Sequence, residues 1–546
     1  MAVANNSIWE VRIGGNDTNG GYFCTDATGL ATNGAVSSAN TSSPVFSSAT
    51  YNFVASDVGA WLFLRSGTNS IPGWYKIASV ASNAATLTAS VGTAIIFNTL
   101  LANTSIGCGT TATLSSCVWT IDYTQQDAKN TGTTNASTTD AVANGTTTIT
   151  SATANFQPSI VGNGIYFSGG SGSIAGTYAR CVARVSTTSI TIDAAIASST
   201  GMTMNVGGAH GSLTPSSVNS ADANYIYVKN EGADGSTVYP ISTTITFNGV
   251  AAGSYQNLVS GYGSIRSDGI RPVLRTTAAV NGFNLNRSGI MVLYNLIIDG
   301  NNVGLTGVLG SQDSFTTNCL IKNWTSYGIS LSYWSAAFCE VTGCTSTYAV
   351  ILNTGATMSY CYIHDNAAGG VYSYNGGILH NCVIANNTGI GYYAASGAAL
   401  LLRNCLFYNN TSHGLSLSGS YSTGQHTTVY QNIFAKNGGY GINANAGSIN
   451  LISQRSPFIF KNAFWSNTSG TNSSTTIILD PSNITLTANP FIDDVNKNWA
   501  LNNTAGGGAN IRAASSNIYG LTTSVSYLDI GPFQHQDTPS IFPIMD

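Results

Sequence analysis

Asn318-Cys319-Leu320-Ile321-Lys322-Asn323 is one copy of a six-residue unit that recurs roughly every 22 residues between 295 and 467. Five more copies keep its form: Asn295-Leu296-Ile297-Ile298-Asp299-Gly300, Phe338-Cys339-Glu340-Val341-Thr342-Gly343, Tyr360-Cys361-Tyr362-Ile363-His364-Asp365, Asn381-Cys382-Val383-Ile384-Ala385-Asn386 and Asn404-Cys405-Leu406-Phe407-Tyr408-Asn409. Two looser copies close the run, Asn432-Ile433-Phe434-Ala435-Lys436-Asn437 and Asn462-Ala463-Phe464-Trp465-Ser466-Asn467. Second positions fall at 296, 319, 339, 361, 382, 405, 433 and 463, in steps of 23, 20, 22, 21, 23, 28 and 30. A repeat of this length marks stacked supersecondary units.

Within each unit alternate positions are apolar, which is the period of a strand. A second short strand precedes it, usually after glycine, as in Gly328-Ile329-Ser330-Leu331, Gly370-Val371-Tyr372 and Gly414-Leu415-Ser416-Leu417. So short and Gly/Ser/Asn-rich a repeat has no room for a helix. A chain that winds round and lays each strand on the one before needs no long crossover. The expected fold is therefore all-β, a parallel β-helix solenoid.

Read down the stack, the second position places Cys319, Cys339, Cys361, Cys382 and Cys405 in one inward column. The fourth position (Ile298, Ile321, Val341, Ile363, Ile384, Phe407, Ala435, Trp465) is a second inward column. The first is mostly Asn, expected to pass amide hydrogen bonds from coil to coil. Neighbouring coils hold equivalent side chains parallel and about 4.8 Å apart, a poor geometry for a disulfide. The five thiols are expected to be free and buried. The states of Cys24, Cys108, Cys117 and Cys181 stay open; Cys108 and Cys117 flank a short loop and could pair. The third position (Ile297, Leu320, Glu340, Tyr362, Val383, Leu406, Phe434, Phe464) is expected to face outward. Such an apolar stripe requires cover, and packing against another subunit is favoured slightly over loop cover.

Of 546 residues only 7% are charged, against about 25% in an ordinary domain, and the formal net charge is −4. That excludes a basic nucleic-acid surface. No apolar run approaches the ~18 residues of a membrane span, so no membrane insertion is expected. With 43% hydrophobic residues and 60 glycines, the composition fits many short strands and tight turns. The N-terminus, Met1-Ala2-Val3-Ala4-Asn5-Asn6-Ser7, does not read as a secretory signal, so synthesis in a cytoplasm, or export by a route without such a signal, is expected.

Ser48-Ala49-Thr50-Tyr51-Asn52-Phe53 matches Ser151-Ala152-Thr153-Ala154-Asn155-Phe156 at an offset of 103, and residues 80–88 resemble 185–193 at an offset of 105. Two duplicated modules, near 40–98 and 143–206, are expected within an N-terminal β-rich region spanning 1–210. Between them Trp119 to Ala128 reads as an interruption of the strand pattern. The parallel β-helix is expected over 223–480, with closing coils and a C-terminal cap over 481–546.

These coils resemble the right-handed parallel β-helix (pectin-lyase-like) superfamily. The opening Trp9-Glu10-Val11 with Gly15-Asn16-Asp17-Thr18-Asn19-Gly20, the stretch Tyr123-Thr124-Gln125-Gln126-Asp127, and the ending Leu528-Asp529-Ile530-Gly531-Pro532-Phe533-Gln534 resemble β-helix proteins of tailed bacteriophages. The resemblance implies a structural virion protein: a spike, fibre or capsid-decorating protein, homotrimeric, with capsid or tail proteins and host-surface glycans as partners. Its runners-up are a glycan-cleaving tailspike depolymerase and a bacterial surface adhesin.

Enzymes of this superfamily use clustered Asp around Ca²⁺ with an Arg or Lys base, or paired carboxylates. Outward positions here hold few of either, so a structural role is favoured over a polysaccharide hydrolase or lyase, and no cofactor or metal is expected. The best acid–base constellation is Glu340, His364 and Asp365 on neighbouring coils, with Asp365 expected to point away. Tyr372, Tyr374, Tyr392 and Tyr393 are the candidates for stacking on sugars.

Overall fold

A computed structural model describes residues 7–13, 15–18, 31–36, 45–58, 61–68, 73–87, 114–122, 137–154, 156, 164–207, 210–213, 224–230, 232–250, 257–263, 269–288, 290–310, 314–333, 335–353, 355–395, 400–418, 427–444, 458–473, 479–512, 514 and 529–533. Among them the regular structure is β-strand with short 3-10 turns, and no helix is long and apolar enough to cross a membrane. The chain divides into two compact units: one of residues 1–240, 245–274 and 287–297, the other of residues 241–244, 275–286 and 298–546.

In the first unit the strand Ser7–Val11 pairs in parallel with Asn224–Lys229, which pairs in parallel with Asn257–Tyr262. The start of the chain is thus a rung of parallel sheet. Between these two rungs in sequence lie two closed six-stranded antiparallel barrels, over Ala31–Val36 to Leu114–Asp122 and Ser137–Ala143 to Ser199–Val206. Both order their strands first, second, fifth, fourth, third, sixth. Positions related by the two sequence offsets are buried in both: Phe46 and Ile149, Phe53 and Phe156, Leu62 and Ile165, Ala85 and Ile190. Trp119, read from sequence as part of an interruption, lies instead in the nine-residue strand Leu114–Asp122 that closes the first barrel. Its ring packs on Phe46 and Phe53 at 5.0 and 5.3 Å. Cys24 and Cys108 lie outside the described residues, as does the side chain of Cys117, while Cys181 is a free, buried thiol.

In the second unit each coil carries three short strands, one more than the two that the repeat shows in sequence. One coil runs Ser335–Ala337, Glu340–Thr342, Tyr348–Leu352; the next runs Thr357–Ser359, Tyr362–His364, Gly369–Ser373. Each strand lies parallel and in register on its equivalent, giving three sheets. The first-sheet strands escaped the sequence reading because Ser335-Ala336-Ala337 and Thr357-Met358-Ser359 carry little apolar alternation. The third sheet is entered through stacked glycines: a Cβ on Gly370 or Gly391 would lie 2.5 or 2.6 Å from the carbonyl oxygen of the glycine one coil on.

The corner before each second-sheet strand explains the first-position asparagines. Asn318, Phe338, Tyr360, Asn381, Asn404, Gln431 and Lys461 all have φ between +51° and +60°. Asn tolerates this left-handed region better than most residues. Its role there is backbone geometry, not the expected ladder. The ladder runs elsewhere, through the buried Asn366, Asn387, Asn410 and Asn437 to Asn467. Each of the first four donates from Nδ2 to the Oδ1 of the next at 2.8–3.0 Å.

Asparagine's two uses also correct the register of the last copies. Leu406 pairs with Ile433 and Ile433 with Ala463, so the cysteine column continues as Asn432 and Asn462, not Ile433 and Ala463. These amides form a second ladder, Asn432 to Asn462 and Asn462 to Asn483, each 3.0 Å. Phe434 and Phe464 consequently point inward, stacked on Phe407 at 4.9 Å and successively at 5.3 Å. Ala435 and Trp465 move to the outer face of the sheet.

The outer face of the second sheet over its later coils lies under the same chain. The chain's own C-terminal segment covers it: Leu486, Phe491, Trp499, Leu501, Ile511 and Ile530 form one buried cluster with Val383, Leu406, Ile433 and Ala463. Covering its own stripe removes the exposed apolar patch.

Candidate functional site

Two outer faces of the second unit gather chemically active side chains. On the second sheet, Glu340 and Tyr362 are cross-strand partners, and Thr342 pairs with His364. The His364 ring lies on the Tyr362 ring with centroids 3.6 Å apart. Its Nε2 is 2.9 Å from Glu340 Oε1 and its Nδ1 2.7 Å from Asp365 Oδ2. Asp365, expected to point away, is therefore turned toward the group. Both ring nitrogens are thus engaged by carboxylates. Burial acts to raise the Asp365 carboxyl, but hydrogen bonds from His364 and Lys497 outweigh it and hold the group below its ordinary value. The Lys497 contact is 3.0 Å.

Lys497 belongs to the C-terminal segment, in the turn of the hairpin Phe491–Asp493 and Asn498–Leu501. Trp499 of the same hairpin meets Tyr362 edge-on at 5.6 Å. A second tie lies nearby: Asp494 Oδ2 takes Lys436 Nζ at 2.5 Å and the Tyr408 hydroxyl at 2.7 Å. Burial opposes ionisation of Asp494, yet the bonds from Lys436, Tyr408 and Asn489 bring its carboxyl down to about 2. Sequence reading missed Lys497 and Asp494 because their partners lie 132 and 58 residues away.

This arrangement is a clamp. A hydrolase keeps the space between its two acids open for sugar and water. Here the imidazole of His364 fills the space between Glu340 and Asp365, with both nitrogens engaged. Among the described residues no three His, Cys, Asp or Glu side chains are placed to hold a metal ion.

Both Asp365 and Asp494 titrate below their ordinary value, so their stabilisation is present at neutral pH and is lost as pH falls through the folded-state values. Acidification from pH 5 toward the Asp494 value of about 2 is expected to loosen the segment before the coils unfold. The difference in fluorescence between the wild type and Trp499→Phe follows it. Lys436→Met should move that transition to higher pH; an unmoved transition would show that the tie does not hold the segment.

On the third sheet, Tyr372 and Tyr393 are cross-strand partners facing outward, their rings 5.6 Å apart and inclined by 22°. Tyr348, which sequence reading did not single out, completes the cluster at 5.2 Å from Tyr372 and 5.9 Å from Tyr393. No repeat position marked it, because it pairs with Gly369 while Tyr372 pairs with Ile351. Burial first, then the Tyr393 and Tyr372 hydroxyls, push Tyr348 up to about 12, so its hydroxyl stays protonated at neutral pH. Tyr374 is 54% exposed. Tyr392 is a correction: it is fully buried, in the inward column between Val371 and Leu415, and faces no ligand. The outward neighbours in register with Tyr372 and Tyr393 are Ile351, Ser416 and Asn443, all uncharged.

Cys319, Cys339, Cys361, Cys382 and Cys405 are free and buried, at most 2% exposed. Each Sγ lies 3.3 Å from the carbonyl oxygen two residues before it. Burial pushes the thiols of Cys339 and Cys382 well up, away from the reactive thiolate. Thiol reagents are expected to leave all five unmodified in the native protein and to label them on denaturation; prompt native labelling of any one would contradict the column.

Residues 339–458 match the family described as right handed beta helix region. No curated protein matches the chain. Among solved structures it is similar to pectate lyase Pel9A, at 15% identity over 57% of this chain and 88% of that one, with a TM-score of 0.38. It is also similar to the Azotobacter vinelandii mannuronan C-5 epimerase AlgE4 A-module, at 13% identity over 48% and 90%, TM-score 0.25. A third is the tailspike of E. coli bacteriophage HK620, solved with a pentasaccharide, at 11% identity over 48% and 60%, TM-score 0.26. Likenesses this distant assign neither substrate nor activity. The family match and the three stacked parallel sheets together make the fold a right-handed parallel β-helix.

Proposed function

We propose that the protein is a structural component of a tailed-phage particle, a spike, fibre or capsid-decorating protein, that contacts host-surface glycans through the Tyr348, Tyr372 and Tyr393 face. The observation that carries this reading is the ring cluster itself. It sits on a rigid sheet, and its hydroxyls and uncharged neighbours suit sugar hydroxyls. The sequence resemblance to phage β-helix proteins supports the particle half. In this reading the molecule assembles as a homotrimer on the virion, with capsid or tail proteins as partners. Mass spectrometry and antibody labelling of purified particles should find the chain on them. Tyr372→Ala with Tyr393→Ala should weaken binding to host-surface polysaccharide at least ~10-fold, each stacked ring contributing about 1 kcal/mol. Undiminished binding in the double variant would reject this face. Detection only on a bacterial envelope, with none on particles, would favour an adhesin.

Glycan cleavage is the second reading: Glu340 and Asp365 are the two acids brought to one group, and cleavage would require the His364 imidazole to leave the space between them. Incubation with host capsular or lipopolysaccharide glycan, followed by assay for new reducing ends or unsaturated uronates, decides it. Product that disappears in Glu340→Gln would replace the structural reading.

A further inference from the structure

The first-position corners carry an anomaly that neither the clamp nor the tyrosine face uses. A left-handed backbone is costly for bulky side chains, about 1–3 kcal/mol, and in this column asparagine fills the corners at 295, 318, 381 and 404. Yet Phe338 and Tyr360, on successive coils, adopt φ of +52° and +54°. Their rings are stacked and nearly parallel, inclined by 7° with centroids 5.0 Å apart. Neither ring is buried: Phe338 is 47% exposed and Tyr360 44%. Asn318 and Asn381 occupy the same corner one coil before and one coil after, at +53° and +54°. Gln431 and Lys461 also depart from Asn, but their flexible side chains present no flat surface. A fold selected only for stability would keep asparagine here. Strain retained at an exposed position points to a use for the side chain.

We propose that Phe338 and Tyr360 form a second glycan-stacking platform, independent of the Tyr348, Tyr372 and Tyr393 face. Its ligand is the apolar face of neutral hexopyranose residues. Size decides between a sugar and a protein. Two half-exposed rings offer a small fraction of the about 800 Å² per partner that a stable protein contact needs. A pair of flat rings suits one or two sugar residues. The centroid spacing exceeds the about 3.5–4.0 Å of face-to-face contact, so the rings are offset and each leaves part of its face open. Amide side chains on either side, Asn318 and Asn381, suit the equatorial hydroxyls of such a ring, and none of the four corner residues Asn318, Phe338, Tyr360 and Asn381 is charged, the basic His380 and Arg403 lying on the strands beyond Tyr360.

The test rests on asparagine being the better residue for the corner. In the full-length protein Phe338→Asn with Tyr360→Asn should leave the thermal midpoint unchanged or higher, because strain is relieved. The same variant should lose at least ten-fold in affinity for dextran or β-glucan oligosaccharides, followed by saturation-transfer NMR. Tyr372→Ala with Tyr393→Ala should retain that platform signal, which separates this proposal from the function proposed above. A lowered midpoint in the asparagine variant would mean that the stacked rings serve stability, and would overturn the proposal. Unchanged oligosaccharide binding in that variant, or no binding by the wild type, would overturn it equally.

Discussion

Cys361→Asp is expected to yield no soluble folded protein at 37 °C, whereas Cys361→Ala folds with a loss of about 1–2 kcal/mol. Cys361 is 2% exposed, and its Sγ lies near the carbonyl oxygens of Ser359 and Ala336. Both are acceptors, and the Cys339 and Cys382 thiols beside it are only weak donors, so a carboxylate there is poorly paired. An unpaired buried charge costs several kcal/mol even after relaxation. That is a large part of the 5–15 kcal/mol that stabilises a typical domain. The neighbours cannot yield, because Cys339 and Cys382 fill the coils on either side and are themselves fully buried. Stacked coils contact only their neighbours, so a ruptured coil splits the stack in two. Soluble yield and thermal unfolding of the two variants measure the difference. A Cys361→Asp protein with a wild-type midpoint would place this side chain outside the core.

The cysteine column was legible because cysteine in this repeat has one use. Glu340 and His364 were legible as neighbours because coil stacking converts a sequence offset into a distance. Asparagine was ambiguous for the opposite reason. At 318, 381 and 404 it relieves a left-handed corner; at 366, 387, 410 and 437 it carries the ladder; at 432 and 462 it replaces cysteine in the core. Aligning the last two copies on Asn432 and Asn462 therefore shifted the register by one, and a one-residue shift exchanges the two faces of a strand. Phe434 and Phe464 were placed outside for that reason alone. The cover over Val383 and Leu406 was illegible on different grounds. Leu486, Phe491 and Trp499 follow no period, and nothing local in their sequence names the sheet they cover. Lys497 and Asp494 meet their partners only after that segment has folded back. Tyr392 and Tyr393 show the limit of reading adjacent aromatics together: on a strand successive side chains face opposite ways, so one joins the core and the other the surface.

The two roles of asparagine predict opposite outcomes for one substitution. Asn387→Leu is expected to destabilise by about 3–6 kcal/mol, while Asn381→Leu, at a corner, costs about 1 kcal/mol. Asn387 is fully buried. Its Nδ2 donates to Ile363 O at 3.1 Å and to Asn410 Oδ1 at 3.0 Å. Its Oδ1 accepts from the Asn366 backbone N at 3.3 Å and from Asn366 Nδ2 at 2.8 Å. Leucine restores none of these. It leaves the Asn366 backbone N–H, an Asn366 side-chain N–H and the Ile363 carbonyl without the partner they had, each at about 1–3 kcal/mol when buried. The added hydrophobic area cannot offset that loss, because the site is already dry and packed: a Cβ on Gly370 would lie 3.2 Å from Asn387 Nδ2. At the half-buried end of the same ladder, Asn467→Ala should cost only about 1 kcal/mol, since water can replace the amide. The order Asn387, then Asn467 and Asn381 close together, is what thermal or denaturant unfolding should return. Equal losses at Asn387 and Asn381 would mean that both asparagines serve the corner geometry and that the ladder adds nothing to stability.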